Sequence, residues 1–283
     1  MTPGIHQITM REYLSLKALS SGLCNTLLQY SPFHAKHEQD GGPSDDSEAS
    51  DMGTAIHDCL LEGRDRIVSI DAADWRTKAA KEARDLARSQ GGIPMLAHKV
   101  SQVEAAVKAA KEFVAGSEIA GVFDSGKPEQ TVIWKEGDIL CKARADWLSD
   151  SWHISVKTTT GSANPKHYTR FTVSQQGHDT GLAFYRRGME ALGIEVEHRI
   201  LLIEQDALGV CCFGLAPSKL EYANGRIDRA ISIWQQCQKS GVYPAYPTQT
   251  CFAEAQPWEL ASEQEEQMNV AYDSIQERNG LQP

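Results

Sequence analysis

The sequence predicts an α/β fold, with a mixed central β-sheet flanked by α-helices and a helical N-terminal part. Three observations predict it. Four stretches of the first 115 positions carry helix signals: apolar residues at helical spacing in 51–62 and 96–115, a serine cap in 20–31, and Ala, Lys, Arg and Glu in 74–90. From residue 130 onward, short runs rich in β-branched and aromatic residues alternate with turn signals. The resulting order is helices, three strands, helix, two strands, helix, which a sheet covered by helices accommodates. At 283 residues the chain is long enough for one large domain of this kind. Its 41% apolar content is that of a globular protein, not a disordered one.

Each element follows from its local pattern. Residues 20–31 (SSGLCNTLLQYS) read as a short helix with a serine N-cap, closed by Pro32. Residues 38–50, rich in Gly, Ser and acids, read as an exposed loop. Over 51–62, Met52, Ile56 and Leu60 share one helix face, with Asp51 placed to cap it. Residues 74–90 and 96–115 are helical, the second placing Val100, Val103, Val107 and Ala110 inward, and the stretch Gly91 to Pro94 separates them. Strands 130–136 and 139–148 flank Gly137-Asp138, a hairpin turn. In the second of these, Cys141, Ala143 and Ala145 point one way, and Lys142, Arg144 and Asp146 the other. Residues 152–157 make a third strand, 172–192 a helix, 197–205 and 209–216 another hairpin, and 218–239 a long helix. A proline-marked tail then ends in an acidic helix.

Composition bounds the function. A formal charge of −10 argues at first against a nucleic-acid partner. Its distribution weakens that objection. Residues 38–51 hold six acids and residues 254–277 hold seven, with no Lys or Arg in either; with those 13 charges set aside, −10 becomes +3 for the remainder. Seven cysteines, odd in number, irregularly spaced and without a C-x-x-C pair, read as reduced thiols, not as a zinc or iron–sulfur site. No run of 18 apolar residues is present, and the start lacks a basic segment followed by an apolar one. The expectation is a cytoplasmic protein with no membrane span.

The segment Glu129 to Thr160 holds the chemistry. Asp146 lies near the end of one strand and Lys157 near the end of the next, and a tight turn would bring the two close. A carboxylate beside a lysine suits metal-dependent phosphodiester hydrolysis: the carboxylate holds a hard cation such as Mg²⁺, and the lysine stabilises charge or positions water. By spacing alone, any surface hairpin could carry the same pair.

An ordered set of motifs sharpens this. ALSSGLCNTLLQYSPFHAKHE (18–38), MGTAIHDCLLEG (52–63), DWRTKAAKEARDLA (74–87), PEQTVIW (128–134), CKARADWL (141–148), the VKTTT run (156–160), GLAFYRRG (181–188) and the W-x-x-C…G-V-Y-P-A-Y region (234–246) run over nearly the whole chain. Together they resemble the RecE-type (exonuclease VIII-like) branch of the PD-(D/E)xK nuclease superfamily, found in phage recombination modules. The resemblance implies one nuclease-like domain over 1–283, with a mainly helical part (1–125), a nuclease core (126–250) and an acidic C-terminal tail and helix (251–283). It implies that Asp146 is the principal metal carboxylate, Lys157 the catalytic lysine and His57 a metal ligand or the group that orients one. Glu129 would sit at the edge of the site, the Val156 carbonyl would face the metal, and Tyr185 would line the DNA path. DNA contacts are expected from Lys142, Arg144, Thr158, Thr159 and Arg186, with Lys78, Lys81, Arg84, Lys166, Arg170 and Arg187 as further basic candidates.

The implied activity is a Mg²⁺- or Mn²⁺-dependent exodeoxyribonuclease acting on double-stranded DNA ends, 5′ to 3′, in a bacterial host. A single-strand annealing protein is the implied partner and a homo-oligomeric ring the implied assembly. Two positions depart from the family pattern. The usual Asp-x-Lys reads Ser155-Val156-Lys157, and the helix Gln four residues before Tyr185 is Gly181. Serine binds a metal weakly or through water, so three accounts stay open: a degenerate site that binds DNA ends without cutting, a carboxylate supplied from elsewhere (Asp179 first, Glu204 second), or a substitution introduced at residue 155.

Overall fold

The computed structural model describes residues 1–41, 48–64 and 66–278. A short strand, β1 (Gly4–His6), opens the chain and pairs antiparallel with Thr131–Ile133. Thr9 then caps α1 (Met10–Ser15) in a capping box closed by Glu12. α2 (Ser21–Gln29) and α3 (Pro32–Gln39) start at serine caps, Ser20 and Ser31. Pro32 is therefore the opening of α3, where its missing N–H costs nothing. α4 (Glu48–His57) runs into a π-helical turn, Asp58–Glu62. Met52, Ile56 and Leu60 are buried, as their spacing requires. Asp51 lies inside α4, bonded to Arg88 at 2.7 Å, and does not cap it. The centre of the expected acidic loop, residues 42–47, falls outside the described residues.

β2 (Ile67–Ile70) and β3 (Ile93–Leu96) form a small parallel sheet joined by α5 (Lys78–Ser89). Where the Gly91 to Pro94 stretch predicts only a separator, β3 forms and all four of its residues are buried. α6 (Ala97–Ala115) follows directly. Next come β4 (Lys127–Glu136), β5 (Ile139–Leu148) and β6 (Trp152–Thr159). A short α7 (Pro165–His167), a π-helical turn (Tyr168–Thr172), α8 (Val173–Gln175) and α9 (His178–Ala191) lead to β7 (Glu197–Glu204) and β8 (Val210–Phe213), and α10 (Pro217–Ser240) closes this part. The helix expected over 172–192 is broken at Gly177, whose φ of 67° no helix interior accepts.

The main sheet runs β1-β4-β5-β6-β7-β8, antiparallel except for the β6–β7 pair. Helices cover both faces. α2, α9 and α10 bury Leu23, Phe184, Ile227 and Trp234 with Trp134 and Cys141 of the sheet. α4 and α6 bury Met52, Ile56 and Val103 with Ile154, Val156, Leu201 and Ile203. Apolar burial in these two layers, at roughly 25 cal/mol per Å², stabilises the helices more than their intrinsic propensity does. The chain divides into Met1–Ala245 and Tyr246–Pro283; the second unit holds α11 (Pro257–Arg278), and its side chains from Tyr246 to Met268 are exposed. Among the described residues, no helix is long and apolar enough to cross a membrane.

A candidate metal centre between diverging strands

β5 and β6 are paired only at Trp147–Ile154 and Leu148–His153, beside their turn. Beyond those pairs β5 stays with β4, while β6 runs alongside β7 as far as Thr159. Asp146 is the first residue of β5 past the paired stretch, and its carboxylate fills the gap. Oδ2 accepts from the Val156 amide at 2.7 Å, the Ser155 hydroxyl at 3.1 Å and Lys157 Nζ at 3.3 Å. An amide that leaves the ladder is thus satisfied by an ionised group.

Glu129 stands across from Asp146 on the other side, between the pairs Pro128–Trp147 and Gln130–Ala145. Its φ of 58° is left-handed, a conformation that costs a non-glycine residue on the order of 1–3 kcal/mol and that persists where surroundings enforce it. Arg144 Nε donates to Glu129 Oε2. The other oxygens of both carboxylates turn to one nitrogen: Glu129 Oε1 lies 3.4 Å and Asp146 Oδ1 3.6 Å from His57 Nε2. His57 reaches them from the last turn of α4. One turn earlier, a Cβ at Gly53 would sit 2.7 Å from Thr158 Oγ1, so glycine lets α4 approach β6.

His57, Glu129 and Asp146 each offer a ligand atom within 4.8 Å of the others, all half-buried. One imidazole nitrogen and two carboxylate oxygens fit a divalent cation. Mg²⁺ suits the oxygens, and the imidazole adds tolerance for Mn²⁺ and softer ions. Burial opposes the charged form of Asp146, but Lys157 and His57 outweigh it and hold its carboxyl far below the usual range. Burial likewise opposes a charged His57, and the Asp146 and Glu129 carboxylates reverse that and raise its pKa. Behind the site, His153 is fully buried, its Nδ1 3.0 Å from His198 Nδ1 and its ring 4.5 Å from that of Tyr185. Burial and then His198 push the His153 pKa down to about 3.

The trio opens into a cleft of about 1060 Å³, also lined by Val156, Lys157, Thr158, Tyr185 and Arg144. Lys157 is pinned by Asp146 and by the Val156 carbonyl, which accepts from its Nζ at 3.1 Å. Tyr185 donates its hydroxyl to the Arg144 carbonyl at 2.7 Å. One wall was not anticipated: residues 7–10, 12 and 13 line the cleft, with Asp58, Glu62, Arg64 and Arg66 nearby. More than a hundred residues separate that N-terminal wall from β5, and no local pattern signals the contact.

Several expected residues lie elsewhere or are engaged by other groups of the protein. Lys142 faces the Asp146 side as alternation requires, but it is 6% exposed, because the N-terminal segment covers it and its Nζ donates to the carbonyls of Tyr13 and Leu16 at 2.8 Å each. It is not available to DNA. Arg144 reaches the cleft but is engaged with Glu129 and with the Ile8 carbonyl. Thr159 accepts from the Gly161 amide and lies outside the cleft lining. Arg186 pairs with Glu190 at 2.7 Å and lines a separate cavity of about 550 Å³. Asp179, the first candidate for a relocated carboxylate, is fully buried and serves the start of α9: it accepts from Ser174 and the Thr180 amide and lies 3.5 Å from Lys219. Glu204 accepts from the amides of Ala163 and Gly209. Ser155 is buried and props Asp146, standing outside the trio. At Gly181, a Cβ would meet nothing within 4 Å.

Among solved structures, this fold is similar to that of a protein from Eubacterium rectale described as a "putative exonuclease", with a TM-score of 0.59 and 12% identity over 90% of this chain and 98% of that one. At that identity the likeness is one of fold: helices flanking a six-stranded, mostly antiparallel sheet. The protein SSO0001 matches at a TM-score of 0.29 and 15% identity over 68% of this chain and 96% of its own, too low to carry an argument. No protein-family profile and no curated protein sequence matches the chain.

Proposed function

We propose that this protein is a divalent-metal-dependent exodeoxyribonuclease acting on the ends of double-stranded DNA. The observation that carries the proposal is the convergence of His57, Glu129 and Asp146 on one point of an open cleft, with Lys157 Nζ 3.3 Å from Asp146. The fold shared with the Eubacterium rectale protein supports the nuclease class. A divalent cation held by the trio supplies charge neutralisation at a phosphodiester and a more acidic water. Asp146 keeps one oxygen for that cation because Val156, Ser155 and Lys157 occupy the other. The ammonium of Lys157, fixed between Asp146 and the Val156 carbonyl, is placed to donate to a phosphate oxygen or to the attacking water. Thr158 and Tyr185 also line the cleft, and in this reading they meet the sugar–phosphate chain.

The finer reading follows the resemblance in the motifs. It takes the protein as RecE-type, resecting 5′ to 3′ with Mg²⁺ or Mn²⁺, working as a ring-shaped homo-oligomer beside a single-strand annealing protein in a bacterial host. A second reading, a DNA-end-binding protein that no longer cuts, is favoured by one observation: residue 155 contributes a hydroxyl to Asp146 in place of a carboxylate to the cation. Nucleotide release from an end-labelled linear duplex, with Mg²⁺, Mn²⁺ or EDTA, separates the two. The expected result is metal-dependent release that a closed circular duplex does not undergo. Asp146→Asn, nearly isosteric, should lower release at least a hundredfold, about 2.7 kcal/mol of barrier, with an unchanged circular-dichroism spectrum. Duplex binding without release in either metal would favour the second reading, and unchanged cleavage by Asp146→Asn would displace the site.

A further inference from the structure

The two carboxylates of the trio are built alike. Each has one oxygen tied down by the protein and one turned to His57. For Asp146 the tie comes from the adjacent strand, the Val156 amide, Ser155 and Lys157. For Glu129 it is a single guanidinium, Arg144, bonded to Oε2 while Oε1 faces His57. Glu129 needs that tie more: its backbone is left-handed, and the β4–β5 register pairs the residues on either side of it but not Glu129 itself.

Arg144 is in turn held both by the neighbouring strand and by the N-terminal segment. Its Nη1 donates to the Ile8 carbonyl at 2.8 Å and to the Thr131 hydroxyl at 3.3 Å, and the Tyr13 ring lies 5.9 Å from its guanidinium carbon. Two residues back on the same strand face, Lys142 donates to the Tyr13 and Leu16 carbonyls and lies 4.6 Å from the Tyr13 ring. α1, between these contacts, buries none of its own side chains. The two cations therefore hold α1 between flanking ties to the sheet: the β1 ladder and the Gln130–Gln7 bond before it, and the backbone bonds of Leu19 with Leu140 and Lys142 after it.

We propose that Arg144 is a positioning residue that couples the N-terminal segment, residues 7–16, to the metal centre. The run Ile8 carbonyl–Arg144–Glu129 aims Glu129 Oε1 at the cation, so the N-terminal segment is a working part of the site. The proposal rests on the metal-centre reading above. Two effects of Arg144 oppose each other: its positive charge repels a nearby cation, and its bond holds a ligand in place. The geometry decides the sign. Arg144 occupies the oxygen turned away from His57, and loss of a hydrogen-bonding partner of a metal ligand typically weakens metal binding about 10–100-fold.

The test is Mn²⁺ affinity of the full chain by titration calorimetry, with amide hydrogen exchange over residues 7–16. Arg144→Gln is expected to weaken Mn²⁺ binding at least ten-fold and to speed exchange in that segment. Arg144→Lys keeps the charge but lacks the fork that spans Glu129 and Ile8, so it should give an intermediate loss. In a Glu129→Gln background, Arg144→Gln should have little further effect on affinity, because the two changes remove one interaction. Unchanged or tighter Mn²⁺ binding by Arg144→Gln would overturn the proposal, and so would an equal loss in the Glu129→Gln background. If Arg144→Gln does not fold, Arg144→Lys with wild-type affinity and exchange is the overturning result. Wild type that binds no Mn²⁺ would remove the metal-centre reading along with this one.

Discussion

Replacing Ser155 with Asp tests whether the point between the strands holds a cation. Ser155 is 3% exposed and donates to Asp146 Oδ2 at 3.1 Å. Aspartate there removes a donor and sets a second negative charge beside the first. Two like charges about 4 Å apart in a medium of effective dielectric about 20 repel by roughly 4 kcal/mol. Lys157, already 3.3 Å from Asp146, offsets part of this. A net loss of about 2–3 kcal/mol in EDTA corresponds to a melting temperature lower by about 5–10 °C for a chain of this size. A divalent cation reverses the sign, because each carboxylate is then attracted to it. Scanning calorimetry of Ser155→Asp should therefore show a large drop in EDTA, a full recovery in Mn²⁺, and a wider gap between the two than in wild type. Nucleotide release should rise at least ten-fold, about 1.4 kcal/mol of barrier. The same drop in EDTA with no recovery in Mn²⁺ would refute the reasoning, since residue 155 would then not face a cation site. A mutant slower than a fast wild type would instead mean that Glu129 already completes the carboxylate pair.

Two further outcomes follow from charge placement. Stability should fall as pH drops from about 6.5 toward 4, because the unfolded chain binds protons on His153 and His198 while burial holds those pKa values down to about 3 and about 4 in the fold. Each histidine contributes up to about 1.4 kcal/mol per pH unit across that window and nothing above it; urea midpoints across it should show the slope, and His153→Phe should lessen it without abolishing it, because His198 and His178 are also held low. Duplex affinity, read by fluorescence anisotropy, should fall steeply with added salt as counterions are released, and absence of binding at low salt would remove both readings of the function.

The sequence made the two hairpins legible because apolar, β-branched runs flank a turn signal in each. Residues 130–136 and 139–148 around Gly137 form the hairpin, and 197–205 with 209–216 the second one. β1, β2 and β3, of three or four residues each, are too short for a period to register, and unlike the equally short β8 none of them adjoins a hairpin partner in sequence; tertiary pairing makes them strands. At the site, Asp146 and Lys157 were within reach of a spacing argument, and the structure brings them to 3.3 Å. The place of Glu129 opposite Asp146 was not, since it depends on strand register and a left-handed backbone. Alternation put Lys142 and Arg144 on the correct face, yet a face is not an exposure: the N-terminal segment covers Lys142 and engages Arg144. Nothing near Asp179 in sequence reveals that its carboxylate serves Ser174 and Lys219.

Charge balance at the trio gives the last prediction. Without a cation, the carboxylates of Glu129 and Asp146 are matched by Arg144 and Lys157, and the same carboxylates outweigh burial and raise the pKa of His57. Were His57, Glu129 and Asp146 to hold a divalent cation, His57 would have to be unprotonated and the site would carry excess positive charge. Had residue 155 been a carboxylate, part of that excess would be cancelled within the protein. With Ser155 it is not, so the loaded site favours an anion, and a DNA phosphate supplies one. Cation and DNA should therefore bind cooperatively, and reciprocally, as linkage requires. Duplex affinity should be at least ten-fold tighter with Ca²⁺, a hard cation that takes the same oxygen ligands, than with EDTA. Ca²⁺ affinity should tighten by the same factor when duplex is present. Ser155→Asp should shrink that factor even while it tightens cation binding alone. Equal duplex affinity in Ca²⁺ and EDTA, measured on a wild-type protein that titration calorimetry has shown to bind Ca²⁺, would mean that phosphate does not meet the trio, and the cleft would lose its role as the DNA site.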